Sequence, residues 1–210
     1  MDKREEVDSD AQENRTLEGC SGASDISPDS CYGPAKWQAD TRSDEELFRV
    51  ALTENDDDER TTAVFVLRYR GTRDIFDTAV ALLRSKKAAD RAQGVNVLGL
   101  FGDRGSTRMN AYRDETVDLM HDMLEREKRI SVLCMLLWAL EQLDDDRAIR
   151  PMSRFTMHNN KSVRRQLAAS LGWFAHRDEL ALRTLIGLCS DADRDVRDWA
   201  TFELGSQFEP

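Results

Sequence analysis

The chain has 210 residues, 40% of them hydrophobic, which is enough apolar material for one ordinary domain or a short repeat array and excludes a wholly disordered protein. Its 30 basic and 40 acidic residues give a formal net charge of −10, so general nucleic-acid binding by phosphate neutralisation is disfavoured. No run approaches the ~18 consecutive apolar residues of a membrane span, and the opening MDKREEVDSD lacks the apolar stretch of a secretory signal, so the expected setting is the cytoplasm.

Residues 1–43 are rich in Asp, Glu, Ser and Gly and hold 5 basic against 10 acidic side chains, half of the net charge. Their few large apolar residues follow no helical or alternating period, which predicts a disordered acidic tail. Tyr32 and Trp37 stand out from it as a candidate partner-binding motif. Ser43 before DEELFRVAL has the form of an N-cap followed by acids in the first helical turn, and the folded part, 44–210, is expected to begin there. Pro is absent between Ala35 and Arg150, and runs of Ala, Leu, Glu and Arg dominate after Asp44, so that part is predicted to be all-α.

An internal repeat organises it. ERTTAVFVLR from Glu59, DRAQGVNVLG from Asp90, ISVLCMLLWA from Ile130, VRRQLAASLG from Val163 and VRDWATFELG from Val196 share one outline, at intervals of 31, 40, 33 and 33. Arg recurs at the second place as Arg60, Arg91, Arg164 and Arg197, with Ser131 the exception, and a bulky apolar residue closes each copy at Leu67, Leu98, Trp138, Leu171 and Leu204. A small residue stands midway at Ala63, Gly94, Cys134 and Ala200, letting helices approach; Leu167 departs from this. Ahead of each copy lies another apolar-periodic run: ELFRVAL, IFDTAVALL, TVDLMHDML, IRPMSRFTM and LRTLIGLC. Each unit therefore reads as helix, turn, helix, with Asp- and Asn-rich turns capping the second helix. One unit cannot bury its own apolar face, so stacking makes the core. The interval of 40 contains an insertion, DRGSTRMNAYRD at 103–114, expected to form a loop on one face.

SDADRDVRDWATFELG and NNKSVRRQLAASLG resemble HEAT repeats, specifically the short HEAT-like class also found in phycobilin lyase-related proteins, and the resemblance covers about residues 44–208. It implies a right-handed α-α superhelix of about five helix pairs, with the second helices lining a concave, protein-binding surface. It also implies an Asp–Arg ladder: Asp191 and Arg197 match the family spacing of six and Glu54 with Arg60 substitutes for it, while Ser85 with Arg91, Glu125 with Ser131 and His158 with Arg164 depart from it.

The search for chemistry returns little. GxxxxGK[ST], G-x-S-x-G and CxxC are missing, and the three histidines, His121, His158 and His176, show no ligand spacing, so no catalytic residue, metal site or cofactor is assigned. The clusters Asp56–Asp58 and Asp144–Asp146 lack the Gly and Glu of a calcium loop and read as turn caps. Cys20, Cys31, Cys134 and Cys189 are scattered, which suits reduced thiols better than a disulfide framework. Trp173, Trp199 and Phe202 with Asp198 leave an alternative of a different class, an enzyme or enzyme accessory of the bilin-lyase or DNA-glycosylase type. The leading expectation is a non-catalytic adaptor for a protein partner. Its candidate contacts are Arg60, Arg91, Arg164, Arg165, Arg197 and Asp198 on the concave face and Arg104, Arg108, Tyr112 and Arg113 in the insertion.

Overall fold

The computed structural model describes residues 34–102 and 112–206. Eleven α-helices occur among them and no strand: α1 (Pro34–Ala39), α2 (Asp44–Thr53), α3 (Asp57–Arg70), α4 (Arg73–Leu82), α5 (Ala88–Gly99), α6 (Arg113–Arg126), α7 (Ile130–Gln142), α8 (Ile149–Ser153), α9 (Lys161–Ala175), α10 (Glu179–Leu188) and α11 (Arg194–Ser206). The starts are set by side-chain caps. Ser43 accepts from the Glu46 N–H, Asp56 from Asp58 and Glu59, Asn160 from Ser162, and Asp178 from Ala181, each quenching backbone donors that the first turn leaves over. Helix α3 stops at Gly71, whose φ of 56° is open to glycine, and its Cα side lies so close to Gly102 that a Cβ would stand 3.2 Å from the Gly102 Cα.

The helices form five hairpins, α2/α3, α4/α5, α6/α7, α8/α9 and α10/α11, stacked as an α-α solenoid. Successive second helices pack on one another, α3 on α5, α5 on α7, α7 on α9 and α9 on α11, so they form a continuous layer. The seventh residue of each second helix, Ala63, Gly94, Leu136, Leu167 or Ala200, is buried, and the eleventh, Leu67, Leu98, Leu140 or Leu171, is fully enclosed; only Leu204, in the last unit, is partly open. Val163 and Val196 are fully buried at the equivalent third position. The seventh and eleventh positions, joined by the third in the last three units, lie on one stripe, and its burial is what joins the hairpins.

Three expectations are corrected. Second helices begin at 57, 88, 130, 161 and 194, so the intervals are 31, 42, 31 and 33. The third copy therefore starts at Val132 and not at Ile130, Leu133 stands where the other units carry Arg, and Leu136 replaces Cys134 at the seventh place. The boundary also moves. Helix α1 precedes Ser43 and packs on α3, with Trp37 only 8% exposed and stacked on Phe65 at 5.0 Å, so at least Trp37 belongs to the folded body and not to a tail. The first helix of the fourth unit is broken: α8 is short, Pro151 lies within it, and 3-10 turns at Asp146–Ala148 and Arg154–Met157 flank it. Residues 1–33, including Tyr32, and residues 103–111 lie outside the described residues.

Candidate functional site

The repeated arginine is the fourth residue of its helix, one turn in, where a long side chain can fold back over the inter-helix turn. In three units it does so identically. Nη1 of Arg91 donates to the carbonyls of Ser85 and Lys86 at 3.0 and 3.2 Å, Arg164 to those of His158 and Asn159 at 2.6 and 3.3 Å, and Arg197 to those of Asp191 and Ala192 at 2.7 and 3.0 Å. The spacing of six thus runs through a backbone carbonyl, whatever side chain that residue bears. This explains why His158 and Ser85 serve as well as Asp191.

The other edge of the guanidinium reaches into the next unit. Nε and Nη2 of Arg91 grip Glu127 at 2.7 and 3.0 Å, and those of Arg164 grip Asp191 at 2.7 and 2.9 Å. Both are parallel two-bond contacts of a planar fork with a carboxylate. The acid in each case precedes its helix by three residues and also accepts N–H bonds from its own turn, Glu127 from Lys128 and Arg129 and Asp191 from Asp193. The Asp191 carboxyl is held below the ordinary carboxylate range chiefly by its hydrogen bonds to Arg164. Glu127, and not Glu125, is the ladder acid of the third unit; Glu125 pairs with Arg154 instead. The ladder is discontinuous, because Arg60 pairs with Asp57 of its own helix and Leu133 cannot donate.

Of the candidate concave-face residues, Arg91 and Arg164 are therefore committed to bracing neighbouring units. Asp198 is exposed and pairs with Arg194 on its own helix. Arg165 differs: its guanidinium lies over the Trp199 ring at 5.6 Å, joining α9 to α11. Trp199 in turn meets Phe202 edge-on at 5.9 Å, and Phe202 is 64% exposed. In the insertion, Arg104 and Arg108 lie outside the described residues. Tyr112 packs on Phe76 at 4.6 Å and lies under Arg73, and Arg113 donates to the Leu143 carbonyl at 2.7 Å and to that of Asp144. These two residues tie the C-terminal end of the insertion to the second and third units.

The acidic clusters do local work. Asp56 caps α3, Asp145 takes Arg147 and caps its 3-10 turn, and Asp144 accepts from Arg177 and from Trp173 Nε1 at 2.7 Å. Among the described residues no group of three or more His, Cys, Asp or Glu stands in ligating geometry. Cys134 and Cys189 are free thiols, and burial pushes Cys134 up to about 11.

A feature that the repeat outline did not expose is the ninth place of each second helix, occupied by Phe65, Asn96, Trp138, Ala169 and Phe202. Arg68 donates to the Asn96 carbonyl at 3.0 Å and lies 5.5 and 5.4 Å from the rings of Phe65 and Trp138, so one side chain spans three units. The signal was present as three aromatics at one register. It is legible only once helix starts are known. A further unexpected group is Glu203, at the tenth place where the other units have Val66, Val97, Ala139 and Ser170. It lies against Gly172, whose missing Cβ leaves the room, and burial pushes its carboxyl up to about 7.

Residues 112–205 match the sequence profile of HEAT repeats. The crystal structure of the Escherichia coli protein YibA superposes with a TM-score of 0.68 at 21% identity, over 84% of this chain. The match spans 63% of that chain's length. No curated protein matches in sequence. No helix among the described residues is long and apolar enough to cross a membrane.

Proposed function

Because residues 112–205 carry HEAT repeats on a HEAT-like solenoid, we propose that this chain is a non-catalytic adaptor that holds a protein partner on the concave face lined by its second helices. Solenoids of this kind commonly serve as interaction scaffolds, because stacking leaves one long continuous surface. The observation that carries the reading is the Arg165–Trp199–Phe202 group. A guanidinium of α9 and two aromatic rings of α11 make up this group, which the proposal assigns to the C-terminal half of that face, and Phe202 is 64% exposed. Aromatics and Arg are the residues that most often anchor protein interfaces.

The insertion is the second contact of this proposal, with Tyr112 and Arg113 fixing its end and Arg104 and Arg108 offered to acidic groups of the partner. The two free thiols support action in the cytoplasm. Affinity capture from the native host, read by mass spectrometry, tests the reading. A variant with Arg165→Glu and Phe202→Ala that retains its helical circular dichroism is expected to lose at least about tenfold of the specific partner, the loss of one or two anchors. Equal recovery by both proteins removes the concave-face assignment.

A further inference from the structure

Two unit junctions share a pair of contacts at matching positions. Between the second and third units, Arg91 grips Glu127, and Gly99 lies so close to α7 that a Cβ would stand 2.9 Å from the Ala139 Cβ. Between the fourth and fifth, Arg164 grips Asp191 and Gly172 lies under Glu203. In each case the arginine is the fourth residue of its helix and the glycine the twelfth, and the residue packed on the glycine is the tenth of the next second helix. The contacts follow from one another geometrically. The glycine lets two helix backbones approach, and the fork fixes their axial register.

The last unit repeats both features on its outward side. Arg197 is again the fourth residue and Gly205 the twelfth, and Arg197 Nη1 already holds its own turn as Arg91 and Arg164 do. Among the described residues, however, its Nε and Nη2 edge meets no acid, and Gly205 has nothing within 4 Å of its Cβ direction. Leu204, alone among its counterparts, is partly open. The opposite end of the array is different. There α1 covers α3 through Trp37, and Arg70 ties the connection down by donating to the carbonyls of Asp40 and Arg42 at 3.0 and 2.8 Å.

We infer that the C-terminal end of the array is a docking surface for a helical hairpin of a partner protein, which places a turn carboxylate on the open edge of Arg197 and seats its second helix against Gly205. The chemistry is dictated by the two filled junctions: an acid three residues ahead of a helix, and a tenth side chain small or flexible enough to lie on a glycine. This surface is distinct from the Arg165–Trp199–Phe202 face, so variants at the two places separate the two proposals. In this inference Arg197 serves the end surface, whereas the repeat alone assigned it to the concave set.

The probe is the hairpin that already fills such a junction. The full chain is built with a second copy of residues 174–206 directly after Ser206, so that the added turn acid follows Arg197 by 27 residues, as Asp191 follows Arg164. The added hairpin is expected to show amide exchange slowed by at least about 100-fold, as the native units of a stacked array do. Arg197→Glu in that chain is expected to abolish the protection, and reversing the added acid to Arg at the same time to restore it. An unprotected hairpin, or protection indifferent to Arg197→Glu, overturns the inference. Sedimentation of the unextended chain decides the occupant: a monomer supports a partner hairpin, whereas a dimer dissociated by Arg197→Glu assigns the surface to a second copy and overturns it.

Discussion

Two carboxyl groups at the same junction respond to pH in opposite directions, and the cause lies in what each one touches. Asp191 accepts the Arg164 fork, so its folded-state pKa is lowered and its contribution is present at neutral pH and lost as pH falls through the acid range below about 4. Glu203 has no such partner and is pushed up to about 7 by burial. A carboxyl whose pKa is raised on folding favours the protonated folded state, so stability falls as pH rises from about 4.5 to about 7 and is flat above. Glu203→Gln is expected to remove that slope in urea denaturation followed by pH. It should raise stability at pH 8 by about 1 kcal/mol, discounted from the full shift because the carboxyl is partly wet. A midpoint equally pH-dependent in both proteins would show that Glu203 is solvated. Arg164→Met is the complementary test: it leaves Asp191, only 9% exposed as a side chain, without its counter-charge, at an expected cost of about 2–3 kcal/mol. If the midpoint moves no more than it does for Arg60→Met, whose ion pair with Asp57 is on the surface, the inter-unit fork contributes nothing.

At the scale of the element, what could be read from the sequence was what depends on local chemistry. The starts of α2, α3 and α9 were visible as Ser43, Asp56 and Asn160, because an N-cap is a side chain meeting a backbone N–H two or three residues on. The third unit was set two residues out of register for the converse reason. Its cap, Arg129, offers no side-chain capping bond to the helix start, its fourth place holds Leu133, and ISVLCMLLWA is apolar at almost every position, so shifted stripes bury nearly equal surface on paper. Helix α1 was missed because a six-residue segment has no period to detect; its place is fixed by Trp37 on Phe65 and Tyr69, contacts about thirty residues away in the chain. The recurrence of Arg was equally plain, but its role was not. Whether a guanidinium faces a partner or the adjoining turn depends on the stacking distance between units, and that distance is set by Gly99 and Gly172, whose meaning appears only when the opposing residues are known. Counting six back from Ser131 lands on Glu125, and the true start of α7 moves that count by two, to Glu127.

At the scale of the molecule, a solenoid's stability is a sum of unit terms and nearest-neighbour junctions, so its two ends differ from its middle by what covers them. Here the N-terminal end is covered by α1: Trp37 is buried against Phe65 and Tyr69, Val66 behind them is fully enclosed, and Arg42 and Arg70 fasten the connection through Asp40, Glu59 and Asp44. Trp37→Ala removes most of that cover and is expected to cost about 3 kcal/mol, the usual loss for a buried aromatic. Because junction terms act between neighbours, the loss should be local. Hydrogen exchange by mass spectrometry is expected to show faster exchange in α2 and α3, smaller effects in α5, and unchanged rates in α9 and α11, which pack on each other and on α7, α8 and α10. Uniform acceleration along the whole array would mean that the five hairpins unfold as a single cooperative block, and that the end positions have no separate energetics.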